Sequence, residues 1–224
     1  ANLVHADGGD DFVSYVPDRP NTLDGGLGQD GLLVGPFDAF ALVFDASGPV
    51  ATDGHGSLLT SFERFTVHGG TSGDRAILGS GDDEFDGGAG DDLAGGGDGA
   101  DWLSGRNGED SLDGGAGDDF LVGGSDDDLL QGAEGADRLE GGFGNDVEEG
   151  GAGRDTLCAG SQADTLHGGD DPDVLYGDDQ RDVLYGGRAN DTLVGGTGGD
   201  TLYGEAGADW FRFRTAPEGV GAED

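Results

Sequence analysis

A nine-residue period governs most of this chain of 224 residues. From Leu78 to Arg212 the sequence divides into fifteen consecutive units of nine, and the eighth residue is apolar in fourteen of them. A period of this length predicts a stack of small units, because one unit alone cannot bury its own apolar residue. The sixth residue of every unit is aspartate: Asp83, Asp92, Asp101, Asp110, Asp119, Asp128, Asp137, Asp146, Asp155, Asp164, Asp173, Asp182, Asp191, Asp200 and Asp209.

Each unit combines a glycine-rich turn with a short strand. Glycine fills the first position in thirteen units and the fourth in ten, which suits a turn because glycine reaches positive φ without steric cost. The last three positions, with an apolar residue in the middle, suit a very short strand. Two units then make one rung of a right-handed coil, with eighth positions inward and seventh and ninth positions outward. The predicted fold is all-β: a right-handed parallel β-roll or β-helix solenoid, preceded by an irregular β-rich region.

The charge balance points to a cation as the partner. Net charge is -38, with ten arginines and no lysine, so nucleic acid and anionic membranes would be repelled. No apolar run is long enough for membrane insertion, and the single cysteine, Cys158, excludes an internal disulfide framework. The chain has no signal peptide and no initiating methionine, so we expect a fragment or a processed piece of a longer protein.

Stacking places the aspartates in two columns, because each turn lies on the turn eighteen residues later. Carboxylates about 4.8 Å apart repel one another unless a cation lies between them. Ligation by oxygen alone is typical of calcium, whereas zinc favours cysteine or imidazole, and the four histidines share no spacing. Fifteen turns stacked two apart leave thirteen positions, and thirteen divalent ions would cancel 26 of the 38 negative charges. We therefore predict a chain that is disordered without calcium and β-rich with it.

The remaining residues are less regular. Residues 1–60 are predicted as an irregular β-rich region, with strands near 10–16, 39–46 and 58–67. One isolated copy of the unit, Gly25 to Leu33, places Asp30 at its sixth position. This copy also fits G-x-G-x-x-G, but no strand precedes it and no helical pattern follows, which argues against nucleotide binding. Residues 61–77 are predicted to form the rung leading into the array, and the register at Ala76 and Ile77 is open by one residue. Residues 213–224 are predicted to form a tail.

The pattern G-G-x-G-x-D-x-L-x resembles the hemolysin-type calcium-binding repeats, also called repeats-in-toxin or RTX repeats. Its clearest copies are Gly114 to Val122, Gly186 to Val194 and Gly195 to Tyr203. The resemblance implies a parallel β-roll, type I secretion, and folding triggered by calcium outside the cell. It makes the sixth-position aspartates, with Asp30, side-chain ligands. It also makes carbonyl ligands of Gly88, Gly90, Gly97, Gly99, Gly108, Gly115, Gly117, Gly135, Gly142, Gly144, Gly196 and Gly198.

Several units depart from this pattern. Glu148 stands where its unit should have an inward leucine, so we expect Val147 to rotate inward instead. Pro172 lies inside one turn. The substitutions cluster between 159 and 194, where we expect weak, distorted or empty sites. The fourth position is not glycine at Asp126, Gln162, Asp171, Gln180 and Ala189.

The sequence favours a binding or structural role over catalysis. No G-x-S-x-G or H-E-x-x-H motif is present, and the regular phase of the carboxylates assigns them to metal. Acidic residues outside the sixth position, such as Asp91, Asp118 and Asp127, are interpreted as solvation or long-range attraction for calcium. The first hypothesis is a secreted, non-catalytic, calcium-folded scaffold.

Two other hypotheses remain open. One is a self-assembling subunit of a surface layer, an adhesin or an extracellular filament, associating through the solenoid ends or outward aromatic faces. The other is the carboxy-terminal module of a secreted hydrolase whose catalytic domain lies outside this chain. Cross-strand packing is the favoured role of the aromatic residues, and Tyr185 and Tyr203 should be neighbours. The outward aromatic residues are Trp102, Phe120, Tyr176, Tyr185, Tyr203 and Trp210.

Overall fold

The computed structural model describes residues 3–6, 8–15, 22–25, 29, 31–35, 43–45, 58–60 and 62–213. Within these ranges the chain is all strand and turn, and it contains no helix that could cross a membrane. The strands are β1 Leu3–His5, β2 Phe12–Tyr15, β3 Thr22–Asp24, β4 Gly31–Val34, β5 Val43–Asp45, β6 Leu58–Thr60, β7 Arg64–His68, β8 Arg75–Ser80, β9 Glu84–Ala89, β10 Leu93–Asp98, β11 Trp102–Asn107, β12 Ser111–Ala116, β13 Phe120–Ser125, β14 Leu129–Glu134, β15 Arg138–Phe143, β16 Val147–Ala152, β17 Thr156–Ser161, β18 Thr165–Asp170, β19 Val174–Tyr176, β20 Val183–Arg188, β21 Thr192–Gly196, β22 Thr201–Ala206 and β23 Trp210–Phe213.

Two long parallel sheets make up the solenoid. Even-numbered strands from β8 to β22, with β5, form a nine-stranded sheet. Odd-numbered strands from β7 to β23, with β2 and β4, form an eleven-stranded sheet. Neighbouring strands pair at an offset of eighteen residues, as Leu93 does with Ser111 and Trp102 with Phe120. The predicted parallel solenoid with two units in each rung is confirmed.

The strands are longer than the period alone indicated. Most strands of the array have six residues, not three, and cover the seventh to ninth positions of one unit and the first three of the next. Pairing skips the first-position residue: β10 and β12 pair at Gly95 with Asp113 and again at Gly97 with Gly115. Each strand therefore bends at its first-position residue and continues into the turn that follows.

The eighth positions form the core. Their leucines from Leu103 to Leu193 are fully or almost fully buried, as predicted. Glu148 is also 0% exposed, whereas Val147 is half-buried, so the expectation that Val147 would rotate inward is wrong. The reason is register: β16 pairs on both sides, with Glu148 opposite Leu130 and Leu166, and a rotation by one residue would break both ladders.

Part of the amino-terminal region extends the same sheets. β2 pairs with β4, and β4 with β7, at offsets of 19 and 33 residues. Leu32, from the isolated copy of the unit, is completely buried. The predicted strand 58–67 is divided, because β6 belongs to a separate three-stranded sheet with β1 and β3. Of the predicted strand 39–46 the structure describes β5; Asp30 and residues 214–224 lie outside the described residues.

Candidate metal sites between stacked turns

Sixth-position aspartates are joined into two ladders by one of their carboxylate oxygens. The backbone N–H of Asp101 donates to Oδ1 of Asp119 at 2.8 Å, and that of Asp119 donates to Oδ1 of Asp137 at 2.8 Å. The same bond recurs along both columns, at 2.6–3.3 Å, for every pair of such aspartates eighteen residues apart. Stacking therefore holds each carboxylate between two turns.

Asp74 is a further member that the sequence interpretation missed. Its backbone N–H donates to Oδ1 of Asp92 at 2.6 Å, and its side chain is 3% exposed. Asp74 lies nine residues before Asp83 and two before buried Ala76, so residues 69–77 are a sixteenth unit and the register at Ala76 is settled. The phase alone would have identified it. Sixteen turns stacked two apart give fourteen aspartate pairs.

The second carboxylate oxygen of these aspartates is buried without a partner. Within residues 62–213, Oδ2 is buried and accepts no hydrogen bond in thirteen of them. A buried acceptor of this kind is costly unless a donor or a cation reaches it. These thirteen unpaired Oδ2 atoms belong to Asp83, Asp92, Asp101, Asp110, Asp119, Asp128, Asp137, Asp146, Asp155, Asp164, Asp173, Asp182 and Asp191.

A backbone carbonyl lies beside each of several unpaired Oδ2 atoms. A Cβ placed on Gly150 would stand 2.6 Å from Oδ2 of Asp155 and 2.7 Å from the carbonyl oxygen of Gly168. At Gly177 the corresponding distances, to Asp182 and Gly195, are 2.6 and 2.7 Å. Two acceptor oxygens thus converge on the open face of the first-position glycine. These first-position carbonyls are absent from the predicted ligand set.

The convergence explains the first-position glycine and predicts an effect of substitution. In Gly96→Ala the new methyl would overlap Oδ2 of Asp101 and lie 2.7 Å from the carbonyl oxygen of Gly114. We expect a loss of about 1–3 kcal/mol in the free energy of unfolding of the calcium-loaded protein, because the packed backbone cannot move aside. Gly95→Ala is the matched control, since no atom lies within 4 Å of its added methyl. Equal unfolding midpoints in urea for the two variants would contradict this account.

The predicted carbonyl ligands at second and fourth positions lie in turns of left-handed conformation. All twelve of these glycines have positive φ, for example 109° at Gly97 and 143° at Gly99. Where the stacked residue is also glycine, these carbonyl oxygens point toward the next turn: that of Gly97 lies against the point where a Cβ on Gly115 would stand, and that of Gly99 against the corresponding point on Gly117. The structure thus directs these oxygens into the space between turns. Their role as calcium ligands stays a prediction.

Units without a fourth-position glycine keep the same turn under strain. Gln162, Gln180 and Ala189 have φ of 93°, 82° and 79°, a conformation that costs a non-glycine residue about 1 kcal/mol or more. Regular strand pairing is interrupted after β19, which has only three residues, and Asp179 makes isolated bridges in place of a ladder. The expected distortion between 159 and 194 is therefore clearest in the turn 177–182, where positions two and four are Asp178 and Gln180.

Fifth-position side chains form a ladder of their own on the exposed side of the turns. Oδ1 of Asp91 accepts the backbone N–H of Glu109 at 3.1 Å, and Oδ1 of Asp118 accepts that of Ala136 at 2.8 Å. Asp127 receives both the backbone N–H and the side-chain amide of Asn145, which lower its pKa. These acids cap the turn eighteen residues later, a structural role that their interpretation as solvating charge did not include.

Burial controls the protonation of the sixth-position aspartates. Burial raises the pKa of Asp119 to about 7, the hydrogen bond from Asp101 lowers it, and the charges of Asp101 and Asp137 raise it further. The pKa of Asp128 rises to about 8 for the same reasons. The described ion pairs of arginine and histidine lie elsewhere, as between Arg188 and Asp170. Arg64 lowers the pKa of Asp83 but does not offset the effect of its burial, so the columns concentrate acidic groups with little compensation from the described basic side chains.

The donor set fits calcium. Among the described residues no three histidine, cysteine or acidic side chains already stand in metal-binding geometry, so a cation between two regular turns would be held by a pair of aspartates and by backbone carbonyls. Calcium accepts such ligands in numbers and geometries that magnesium and zinc do not favour. Each unpaired Oδ2, with the first-position carbonyl beside it, supplies part of such a shell.

The outer faces carry aromatic side chains that pack on one another. Tyr185 stacks on Tyr203 with ring centroids 4.9 Å apart, as predicted, and His167 stacks on the other face of Tyr185 at 4.6 Å. Trp102 pairs with Phe120, over which the guanidinium of Arg138 lies at 5.7 Å from the ring centroid. Cys158 is a half-buried free thiol whose pKa burial raises to about 11. Cross-strand packing thus accounts for Phe120, Tyr185 and Tyr203.

Fold and site together define a parallel β-solenoid of nonapeptide turns, with two columns of buried aspartates between its stacked turns. The sequence matches the profile of the RTX calcium-binding nonapeptide repeat at residues 66–94, 95–130, 122–157, 159–193 and 185–213, which together exceed half of the chain. The chain belongs to this family, and its array is a calcium-binding β-roll. Comparison with curated proteins finds no match. Among solved structures, a hyperactive, Ca2+-dependent, β-helical antifreeze protein from an Antarctic bacterium is 21% identical, with a TM-score of 0.41 over 92% of this chain and 85% of that one.

Proposed function

We propose that this chain is the calcium-folded, non-catalytic scaffold of an extracellular protein that leaves the cell by type I secretion. The thirteen buried, unpaired Oδ2 atoms carry the proposal. In a cell interior poor in free calcium these carboxylates repel one another and keep the chain unfolded. Outside, calcium neutralises them and binding free energy becomes folding free energy.

Calcium occupies the positions between stacked turns in this proposal, with the aspartate pairs and the carbonyls of the glycine-rich turns as ligands. Asp74 raises the number of such positions from thirteen to fourteen. Asp30 remains a predicted ligand of the isolated unit. The regular phase of the carboxylates supports a non-catalytic role, since it commits them to metal.

Calcium stoichiometry tests the proposal. Isothermal titration of the full chain, with equilibrium dialysis as an independent count, should give on the order of ten or more calcium ions per molecule and little binding of magnesium. The Asp119→Ala variant should bind about two ions fewer, because Asp119 belongs to two stacked pairs, one with Asp101 and one with Asp137. Asp118→Ala is the control: it removes an adjacent, exposed acid that caps Ala136 and should leave the count unchanged. A wild-type chain that binds no calcium refutes the proposal.

Self-association is a second candidate function, favoured by the last described rung. Phe211 occupies an eighth position yet is 46% exposed, and Trp210 and Phe213 are 77% and 62% exposed. Such an apolar end suits end-to-end contact with another solenoid. Sedimentation velocity at saturating calcium distinguishes the two, because a monomer at all concentrations argues against assembly. The further hypothesis of a module from a secreted hydrolase remains a prediction about the longer gene product.

A further inference from the structure

Glu148 is the one eighth-position residue of the array with a charged side chain, and it is fully buried. Its exposed fraction is 0%, and neither Oε1 nor Oε2 accepts a hydrogen bond from the described residues. The backbone N–H of Gly141 is close enough to lower its pKa, but it makes no hydrogen bond of ordinary geometry with either oxygen. A charged group in this state is usually paired or bound to metal.

The side chain crosses the core towards one particular turn. Oε1 lies 2.9 Å from the point where a Cβ on Gly141 would stand. Oδ2 of Asp146 lies 2.5 Å from that point, and the carbonyl oxygen of Ala159 lies 2.7 Å from it. In the neighbouring units only an aspartate oxygen and a first-position carbonyl converge there, so this turn has one additional oxygen.

The electrostatic surroundings of Glu148 contain acids. Besides burial, the charges of Asp146, Asp164 and Glu140 raise its pKa well above its usual value. Its neighbours along the sheet, Leu130 and Leu166, are apolar. No arrangement of the described side chains compensates this carboxylate, whereas a cation shared with Asp146 would.

We propose that Glu148 is an additional ligand of the cation between the turns 141–146 and 159–164. This inference rests on the proposed calcium function and adds a second carboxylate from the same unit to one site. Calcium affinity increases with the number of charged ligands. The site beside Glu148 is therefore the tightest in the array, and it fills and orders first as calcium rises.

Hydrogen exchange measured by mass spectrometry, at a series of calcium concentrations, resolves this site from the others. In the wild-type chain, peptides from 141–167 should become protected at a calcium concentration several-fold lower than peptides from 105–131. In Glu148→Gln, and in Glu148→Leu, which restores the usual residue, the midpoint for 141–167 should rise about tenfold. Glu149→Gln is the control, because it removes a charge from the adjacent, exposed position.

The outcomes separate the two levels of inference. Protection of 141–167 at the same calcium concentration as 105–131 in the wild-type chain overturns the role of Glu148. A Glu148→Leu variant that is more stable and has an unchanged or lower calcium midpoint also overturns it, since Glu148 is then only a poorly placed buried acid. If the wild-type chain shows no calcium-dependent protection anywhere, the calcium function itself is wrong.

Discussion

In excess chelator at neutral pH, the array from Leu78 to Arg212 should lose most of its β-structure. The reason lies in the columns: each aspartate is held by stacking next to the carboxylate eighteen residues away, and its Oδ2 is buried without a partner. The apolar core cannot compensate, because most nine-residue units contribute only one buried apolar side chain, as those of Leu112 and Leu121 do. Without calcium, repulsion and desolvation of the columns exceed the free energy that this thin core supplies.

Far-ultraviolet circular dichroism during chelation and re-addition of calcium measures the effect. We expect a cooperative, reversible loss of the β-signal, with the peptides of β8 to β23 losing protection from hydrogen exchange together. Magnesium or sodium at equal ionic strength is the control, and neither should restore the signal. Persistent β-structure in chelator at neutral pH would mean that stacking and the apolar core suffice without metal.

Acid should restore part of the structure that the calcium-free chain lacks at neutral pH. Burial raises the pKa of eleven sixth-position aspartates from 3.8 to values between about 6 and about 8. Between 3.8 and those values the folded chain holds more protons than the unfolded chain. The stability of the calcium-free fold therefore rises as pH falls through 8 to 6, and the gain is complete below 3.8.

The magnitude is large because the shifts add along the array. One pKa unit corresponds to about 1.4 kcal/mol per group, so even a one-unit shift at each of these aspartates is comparable with the whole net stability of a domain. Circular dichroism of the calcium-free chain between pH 8 and pH 4.5 should show β-signal growing as pH falls. The protein is close to its pI of about 4.1 at the acid end, so sedimentation must confirm that the signal comes from monomers.

Calcium binding should respond to pH in the opposite direction. Protons and calcium compete for the same carboxylates. The calcium concentration that half-saturates the sites should therefore rise as pH falls from 8 to 5. An acid-insensitive midpoint, or a calcium-free chain that stays unfolded down to pH 4.5, would indicate that these carboxylates are not the groups that oppose folding.

Several features of the site could be read from single residues of the sequence. The identity of the sixth position and the offset of eighteen between stacked turns predict which aspartates meet, as Asp101 and Asp119 do. The inward leucines and the contact between Tyr185 and Tyr203 follow from the same period. The sequence could also have predicted Asp74 as a sixth-position aspartate, because it lies nine residues before Asp83, although the residues around it fit the repeat pattern poorly.

Other features depend on atoms that a periodic pattern does not specify. Which carboxylate oxygen accepts the backbone N–H and which remains unpaired depends on the bend at the first-position residue. The position of Glu148 depends on pairing with the strands on both sides, which outweighs the cost of burying a carboxylate. The amino-terminal strands pair at offsets of 19 and 33 residues, which the nine-residue period does not predict because neither is a multiple of nine.

The sequence by itself determined the solenoid, its register, the phase of its acids and calcium as the matching ion. A strict nine-residue period leaves one stacking in which every apolar residue is inward and every aspartate meets another. Only the tertiary structure showed that first-position carbonyl oxygens lie near the unpaired Oδ2 atoms, that fifth-position acids cap the stacked turns, and that the side chain of Glu148 points into the core. Those properties arise from contacts between residues about eighteen positions apart or across the core, where neighbouring chain segments limit each side chain.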